Sequence, residues 1–428
     1  MASVSTVDRV DLCRLVTCGS VDDGKSTLIG RLLFDSKQVM SDQLEHIEEA
    51  SERRGDGYVN LALLTDGLRA EREQGITIDV AYRAFATPRR RFIIADSPGH
   101  VQYTRNMATG ASTADVAVIL VDARHGVVEQ TRRHTYVCAL LRIPRIVVAV
   151  NKMDLVDFDR DVVDDIEAHF RDFARDLDIE IDVIPISALD GDNVVDDSER
   201  MPWYEGTSLL HHLERIPLDR DDIALPARYP VQWVIRPQAT DHHDYRGYAG
   251  QIAAGDFRPG MDVVVFPGGQ RTTIAGVETI DGQLDLAEAP QSVTIRLADN
   301  LDVARGDMIV AADGDLPTVT RELIADVCWM TDRPLAPGSR YVIRHTTREA
   351  RAVVDAIVHR VDIRTFDTGP AESIGLNDIA RLRLRTSQPL VVDPYGANRA
   401  TGSFILIDEA TNDTLAAGMI VEAAATSV

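Results

Sequence analysis

The run Gly19-Ser20-Val21-Asp22-Asp23-Gly24-Lys25-Ser26-Thr27 constrains what this chain can fold into more than any other stretch. It follows a short apolar segment, Leu12 to Cys18. It leads into Leu28-Ile29-Gly30-Arg31-Leu32-Leu33, whose apolar spacing is helical. Strand, glycine-bounded loop and helix in that order is the setting of a phosphate-binding loop. The glycines let the backbone wrap closely, so that successive N–H groups point inward as an anion nest. The helix start adds unpaired N–H groups and a positive dipole end. Within such a loop Lys25 reaches the β- and γ-phosphates, and the Ser26 hydroxyl is a ligand for Mg²⁺.

The remaining parts of a nucleotide site follow in order. Residues 36 to 75 are polar, with charge runs such as Glu52-Arg53-Arg54, and read as a solvated helix and a loop. They end at Gly75-Ile76-Thr77, where Thr77 is placed to offer a second hydroxyl to Mg²⁺ and to fold the loop over a γ-phosphate. The strand Phe92 to Ala95 delivers Asp96-Ser97-Pro98-Gly99-His100. A carboxylate at the C-terminal end of a strand beside the phosphate loop belongs at a Mg²⁺ site, which makes Asp96 the candidate. Gly99 can offer its N–H to the γ-phosphate, and His100 can orient an attacking water. Apolar strands at Val116 to Val121 and Ile146 to Val150 come next, the second ending in Asn151-Lys152-Met153-Asp154. Guanine presents two adjacent donors that one carboxylate accepts together, whereas adenine has no such pair. Asp154 suits that task, with Asn151 bracing the site and the Lys152 stem covering the ring. Beyond Ile181 to Ile186, Ser187-Ala188-Leu189 can present a backbone N–H to the guanine 6-oxo group. The expected fold is a doubly wound, mostly parallel α/β sheet with guanine nucleotide at its C-terminal strand edge.

The 428 residues leave room for further domains. Residues 190 to 228 are irregular, acidic and broken by Pro202, Pro217 and Pro226, and read as a linker with a short helix at Ser208 to Arg215. From Tyr229 the pattern changes to period two. Short turn-bounded strands without intervening helices, one series before about Glu322 and one after it, suggest two antiparallel β-barrels. The expected division is 1–217 for the nucleotide domain, 218–317 and 318–428 for the barrels. Arg344, His345, Arg381, Arg383 and Arg385 read as exposed strand faces. A net charge of −23 and a pI near 4.8 argue against nucleic acid and anionic membranes, which rely on basic surfaces. No apolar run reaches membrane-spanning length and the first residues carry no apolar signal core, so a cytoplasmic protein is expected. Cys13, Cys18, Cys138 and Cys328 lie in apolar contexts with no C-x-x-C pair and read as buried small hydrophobes.

Taken together, Gly19 to Leu33, Asp66-Gly67-Leu68-Arg69 through Arg83, Asp96 to Ser112 and the tail Gly402 to Asp408 resemble one family end to end. It is the large, GTP-binding subunit of bacterial ATP sulfurylase (sulfate adenylyltransferase subunit 1), itself similar to translation elongation factors. The resemblance implies a GTPase that couples GTP hydrolysis to formation of adenylyl sulfate and pyrophosphate from ATP and sulfate. It implies a small adenylyltransferase subunit as partner, an adenylylsulfate kinase as a further candidate partner, and Mg²⁺ as cofactor. In its terms Lys25, His100 and Thr77 are catalytic, and Ser26, Thr77 and Asp96 hold the metal, Asp96 through water. The nucleotide lies against Gly19 to Thr27, Asp96 to His100, Asn151 to Asp154 and Ser187 to Leu189. Some members carry a fused adenylylsulfate kinase; no second phosphate loop occurs here, so that activity is not expected of these residues. The main rival is an elongation-factor-like GTPase that binds tRNA, and a second is a stand-alone GTP-driven regulatory switch with no adenylyl-transfer partner. Translation factors typically carry histidine where this chain has Asp23, which favours the sulfurylase branch. Asp22 and Asp23 together place two carboxylates near phosphates, an unfavourable arrangement unless one binds a cation or both turn outward.

Overall fold

The computed structural model describes residues 11–37, 41–54, 59–64, 79–100, 104–218, 221–237 and 245–423. The chain divides into two compact units, one made of 1–219 with 363–365, the other of 220–362 with 366–428.

The first unit is a six-stranded sheet. Its strands are β1 (Asp11–Cys18), β2 (Ala81–Ala86), β3 (Arg90–Asp96), β4 (Val116–Asp122), β5 (Arg145–Asn151) and β6 (Glu180–Pro185), in spatial order β2-β3-β1-β4-β5-β6. All neighbours run parallel except β2, an antiparallel edge on β3. Every residue of β4 is buried, the continuous apolar run of a strand covered on both faces. The helices of this unit are α1 (Lys25–Asp35), α2 (Ser41–Arg54), α3 (Thr104–Ala111), α4 (Glu129–Leu140), α5 (Arg160–Phe173) and α6 (Leu209–Arg215). In α5 the Asp159 side chain caps the Asp161 N–H, and Val163, Ile166 and Phe170 form one buried stripe at helical spacing. Leu15, Ile94, Val118, Val147 and Ile184 from the sheet meet Leu28, Ile29 and Leu32 of α1 and Leu209 and Leu213 of α6 in one core. Strand order reverses around β1, so the loops after β1, β3, β5 and β6 open on the same edge.

The stretch after β6 is more ordered than its linker-like composition suggests. Asn193 Nδ2 donates to Pro185 O at 3.0 Å, Ser198 N donates to Asn193 Oδ1, and Trp203 Nε1 donates to Phe158 O at 3.0 Å. The Arg200 guanidinium lies 4.4 Å from the Phe158 ring centroid, and Val194 and Met201 are buried. These polar side chains satisfy irregular backbone locally, which hydrophobic periodicity does not register.

The second unit contains two closed antiparallel barrels. The first runs Asp262–Phe266, Met308–Ala311, Arg228–Ile235, Gly247–Gln251, Ser292–Leu297 and Gln270–Thr279, which pairs back onto Asp262–Phe266. The second runs Arg340–His345, Ser403–Ile407, Thr414–Ala423, Thr318–Trp329, Ile379–Val392 and Arg348–Val361, which pairs back onto Arg340–His345. Closure removes the unpaired edges that would invite aggregation. One expectation fails here: His345 is buried, and its Nε2 lies 2.7 Å from Thr401 O. Ile343 faces the core, and period-two alternation puts His345 on the same side. Burial lowers its pKa below the ordinary value. Arg344, Arg383 and Arg385 are exposed as expected, while Arg381 is half-buried against Asp326 at 2.7 Å. All four cysteines are buried.

A buried pair links the barrels. Arg228 donates to both Asp393 oxygens at 2.9 Å, and the Thr401 hydroxyl donates to Asp393 Oδ2 at 2.6 Å. Removing one partner strands the other charge. Asp393→Ala is therefore expected to destabilise the second unit by about 3–5 kcal/mol, read from its transition in urea unfolding.

Candidate functional site

Four loops at the C-terminal edge of the sheet converge on the phosphate-loop sequence. The loop from Gly19 to Gly24 joins β1 to α1, and Gly24 caps the helix with φ of 92°. That left-handed position suits glycine, and a Cβ there would lie 2.4 Å from Asn151 Nδ2. Lys25 is buried, its ammonium donating to Gly19 O at 3.0 Å and to Ser20 O at 2.9 Å. Burial lowers its pKa, opposed by the nearby charges of Asp96 and Asp23. Ser26 and Thr27 sit half-buried in the first turn of α1, and Val21 half-buried at the loop apex.

The two loop carboxylates part company. Asp22 is exposed with φ of 68°, while Asp23 is buried and accepts the Ser20 N–H. Burial raises the Asp23 pKa, and the Ser20 N–H and Lys25 act against that rise. The notion that both turn outward is thus wrong for Asp23, which is held by the backbone of its own loop.

The segment Asp96-Ser97-Pro98-Gly99 is buried and lies directly on that loop. Asp96 pairs in register with Thr17, and Ser97 donates to Thr17 O through its N–H at 3.3 Å and through its hydroxyl. A Cβ on Gly99 would stand 2.5 Å from Lys25 Nζ and 2.7 Å from Gly19 O, so only glycine permits this approach. His100 follows at the exposed end of the segment. Thr77 lies outside the described residues.

Asn151 joins the phosphate loop to the far side of the sheet. Its Nδ2 donates to Asp23 O at 2.8 Å, and its Oδ1 accepts the Ala188 N–H at 2.9 Å. The Ser187 hydroxyl donates to Asp154 Oδ1 at 2.7 Å, fixing the carboxylate. Arg31 of α1 donates to the carbonyls of Ala188 and Leu189. Met153 is wholly buried beneath the segment and Leu189 is exposed beyond it. The structure therefore gathers Gly19 to Lys25, Asp96 to Gly99, Asn151 to Asp154 and Ser187 to Leu189 around one edge.

Sequence reasoning passed over several residues. Asp122 ends β4 as Asp96 ends β3, and that parallel was the available signal. Burial alone would raise its pKa, but hydrogen bonds from Arg124 and Lys152 outweigh this and hold the carboxyl well below the usual carboxylate range. On α4, His134 is fully buried with Nε2 2.8 Å from Gln130 Nε2. Burial pushes its pKa down to about 3, with the positive charges of Lys25 and Arg133 adding to the effect.

The donor set suits a hard cation. A serine hydroxyl in the first turn of α1 and a buried carboxylate at the end of β3 are oxygen ligands of the kind Mg²⁺ takes. The glycine approach at Gly99 brings the β3 end to the phosphate loop, as such a site requires.

Residues 11–222 match the family model of the elongation factor Tu GTP binding domain, and residues 322–421 match that of the GTP-eEF1A C-terminal domain-like family. Sulfate adenylyltransferase subunit 1 of Bacteroides fragilis is 51% identical over 418 residues, covering 97% of this chain and 87% of that one. The protein of that name from Tolumonas auensis is 52% identical over 417 residues, with the same coverage of each chain. The bifunctional enzyme CysN/CysC of Mycobacterium tuberculosis is 54% identical over 413 residues, covering 96% of this chain and 67% of the relative.

The contact at Gly24 supplies a test of the site's construction. Gly24→Ala forces a side chain into left-handed backbone and against Asn151, and is expected to lower the stability of the first unit by about 1–3 kcal/mol, read by thermal unfolding.

Proposed function

We propose that this chain, which belongs to the family of sulfate adenylyltransferase subunit 1, hydrolyses GTP to drive formation of adenylyl sulfate and pyrophosphate from ATP and sulfate. The observation that carries the reading is the Asn151 bridge, which sets Asp154 and the Ser187-Ala188 backbone beside a phosphate loop. One carboxylate fixed by a hydroxyl can accept the paired donors of guanine, and the Ser187-Ala188-Leu189 backbone is the candidate to meet the 6-oxo group. Lys25 stabilises charge on the β- and γ-phosphates within a buried setting where such interactions are strong. Gly99 offers its N–H to the γ-phosphate. His100, at the exposed end of the segment, orients the attacking water, a role of position that a partner completes. Ser26, Thr77 and Asp96 would hold a magnesium ion, Asp96 through water, and the ion would supply charge neutralisation at the phosphates.

The partner is the small adenylyltransferase subunit, and an adenylylsulfate kinase is a further candidate. The same reading divides the chain at 1–217, 218–317 and 318–428, supported by one α/β sheet and two closed barrels. No helix among the described residues is long and apolar enough to cross a membrane, and the acidic balance is unsuited to nucleic acid, in keeping with a cytoplasmic protein. The translation-factor alternative is not favoured, since relatives at half identity over nearly the whole chain carry the adenylyltransferase name.

The deciding experiment compares GTP hydrolysis by the chain alone with hydrolysis in the presence of the small subunit, ATP and sulfate. Strong stimulation with accumulating adenylyl sulfate is expected; stimulation by ribosomes and tRNA instead would remove the coupled reading. In that assay His100→Ala should retain GTP binding and lose about 100-fold or more in turnover, and a normal rate would count against its role. Asp154→Asn should weaken GTP binding by about 1–3 kcal/mol while admitting xanthine nucleotides, measured by competition binding.

A further inference from the structure

Lys152 is held far more firmly than a residue chosen for its stem alone would be. Its backbone is left-handed, with φ of 68°, a conformation that non-glycine residues adopt only under local constraint. Its Nζ lies 2.9 Å from Asp122 Oδ2 and also donates to the carbonyl of Asp22 in the phosphate loop. Asp122 and Asn151 are register partners on adjacent parallel strands, so the residue after Asn151 emerges beside the Asp122 side chain. The Asp122 side chain is 2% exposed, against 21% for Lys152. Arg124 completes the arrangement, donating to Oδ1 from its N–H at 2.9 Å and from Nε at 3.0 Å, and to Oδ2 at 2.7 Å. His125 Nδ1 stands 3.6 Å from Oδ2. The turn carrying these cations closes on Asp122 O, which accepts the N–H groups of His125 and Gly126.

We propose that Asp122 is a positioning residue for nucleotide retention, acting through Lys152 to clamp the base-binding segment onto the phosphate loop. This rests on the reading of the edge as a GTP site. Arg124 orients the carboxylate, and the carboxylate anchors the ammonium. The anchored ammonium fixes the Asp22 carbonyl and stretches the aliphatic stem across the position of the purine. A free lysine stem loses its rotamer freedom when a ligand binds; a stem already tethered at its far end does not. The clamp therefore acts chiefly on how slowly nucleotide leaves, because breaking a desolvated charge pair changes dissociation more than association. Asp122 itself does not touch the nucleotide.

The test follows release of a fluorescent GDP analogue from the full chain in wild type, Asp122→Asn, Lys152→Met and the double variant. Each single variant should speed release by about tenfold, and the double variant should release no faster than Lys152→Met alone. Unchanged release from Asp122→Asn, or an Asp122→Asn effect that persists in full on the Lys152→Met background, would overturn the proposal. A purely structural Asp122 would give that second result, with thermal stability falling equally in both backgrounds. If Asp122→Asn does not fold, Lys152→Met still decides: release at the wild-type rate overturns the clamp. Wild-type protein that binds no guanine nucleotide would refute the reading of the site, a different failure.

Discussion

The side-chain amide of Asn151 carries the arrangement of the whole nucleotide edge. Its nitrogen holds the carbonyl of Asp23, and its oxygen holds the N–H of Ala188. One planar group thus fixes the distance between the loop that would cradle phosphates and the loop that would meet the base. It is 2% exposed, so both bonds form in a low-dielectric setting where an unmet polar group is costly. Gly24 has no side chain because Asn151 occupies the space a Cβ would need. The parallel sheet makes the convergence possible, since β1, β3, β5 and β6 all end on one edge and β1 stands where the strand order reverses.

That geometry also answers how an acidic phosphate loop is tolerated. Asp22 points into solvent and lends only its carbonyl, to Lys152. Asp23 turns inward but spends its carboxylate on the Ser20 N–H of the same loop, with Lys25 close enough to oppose the cost of burial. Charge is balanced within a few residues. Farther along the edge, Asp122 faces Arg124 and Lys152. A chain of net charge −23 therefore keeps local cations where anionic ligands would bind.

The second unit rests on closure rather than convergence. Each barrel pairs its last strand with its first, and the barrels share the buried Arg228–Asp393 pair and the half-buried pair Arg348–Asp307 at 2.6 Å. The short, turn-bounded strands of this half are easily read from period-two alternation. The same alternation, followed one step further from Ile343, would have placed His345 inside.

Continuous strings were readable from the amino-acid order alone. The stretches Gly19 to Thr27, Asp96 to His100, Asn151 to Asp154 and Ser187 to Leu189 each impose a local backbone shape, and their succession at strand ends implied a parallel sheet with one nucleotide edge. The apolar patterns likewise separated an α/β half from a β half. What only the tertiary structure decided were relations between residues far apart in the chain. Asn151 meets Asp23 across 128 residues, Lys152 meets Asp22 across 130, and Arg228 meets Asp393 across 165. The packing of 190–208 against the sheet and the burial of His134 belong to the same class. A local pattern specifies backbone conformation because its causes lie within a turn or two. A charge clamp exists only once strand register brings its partners within a few ångströms, and register is a property of the folded sheet.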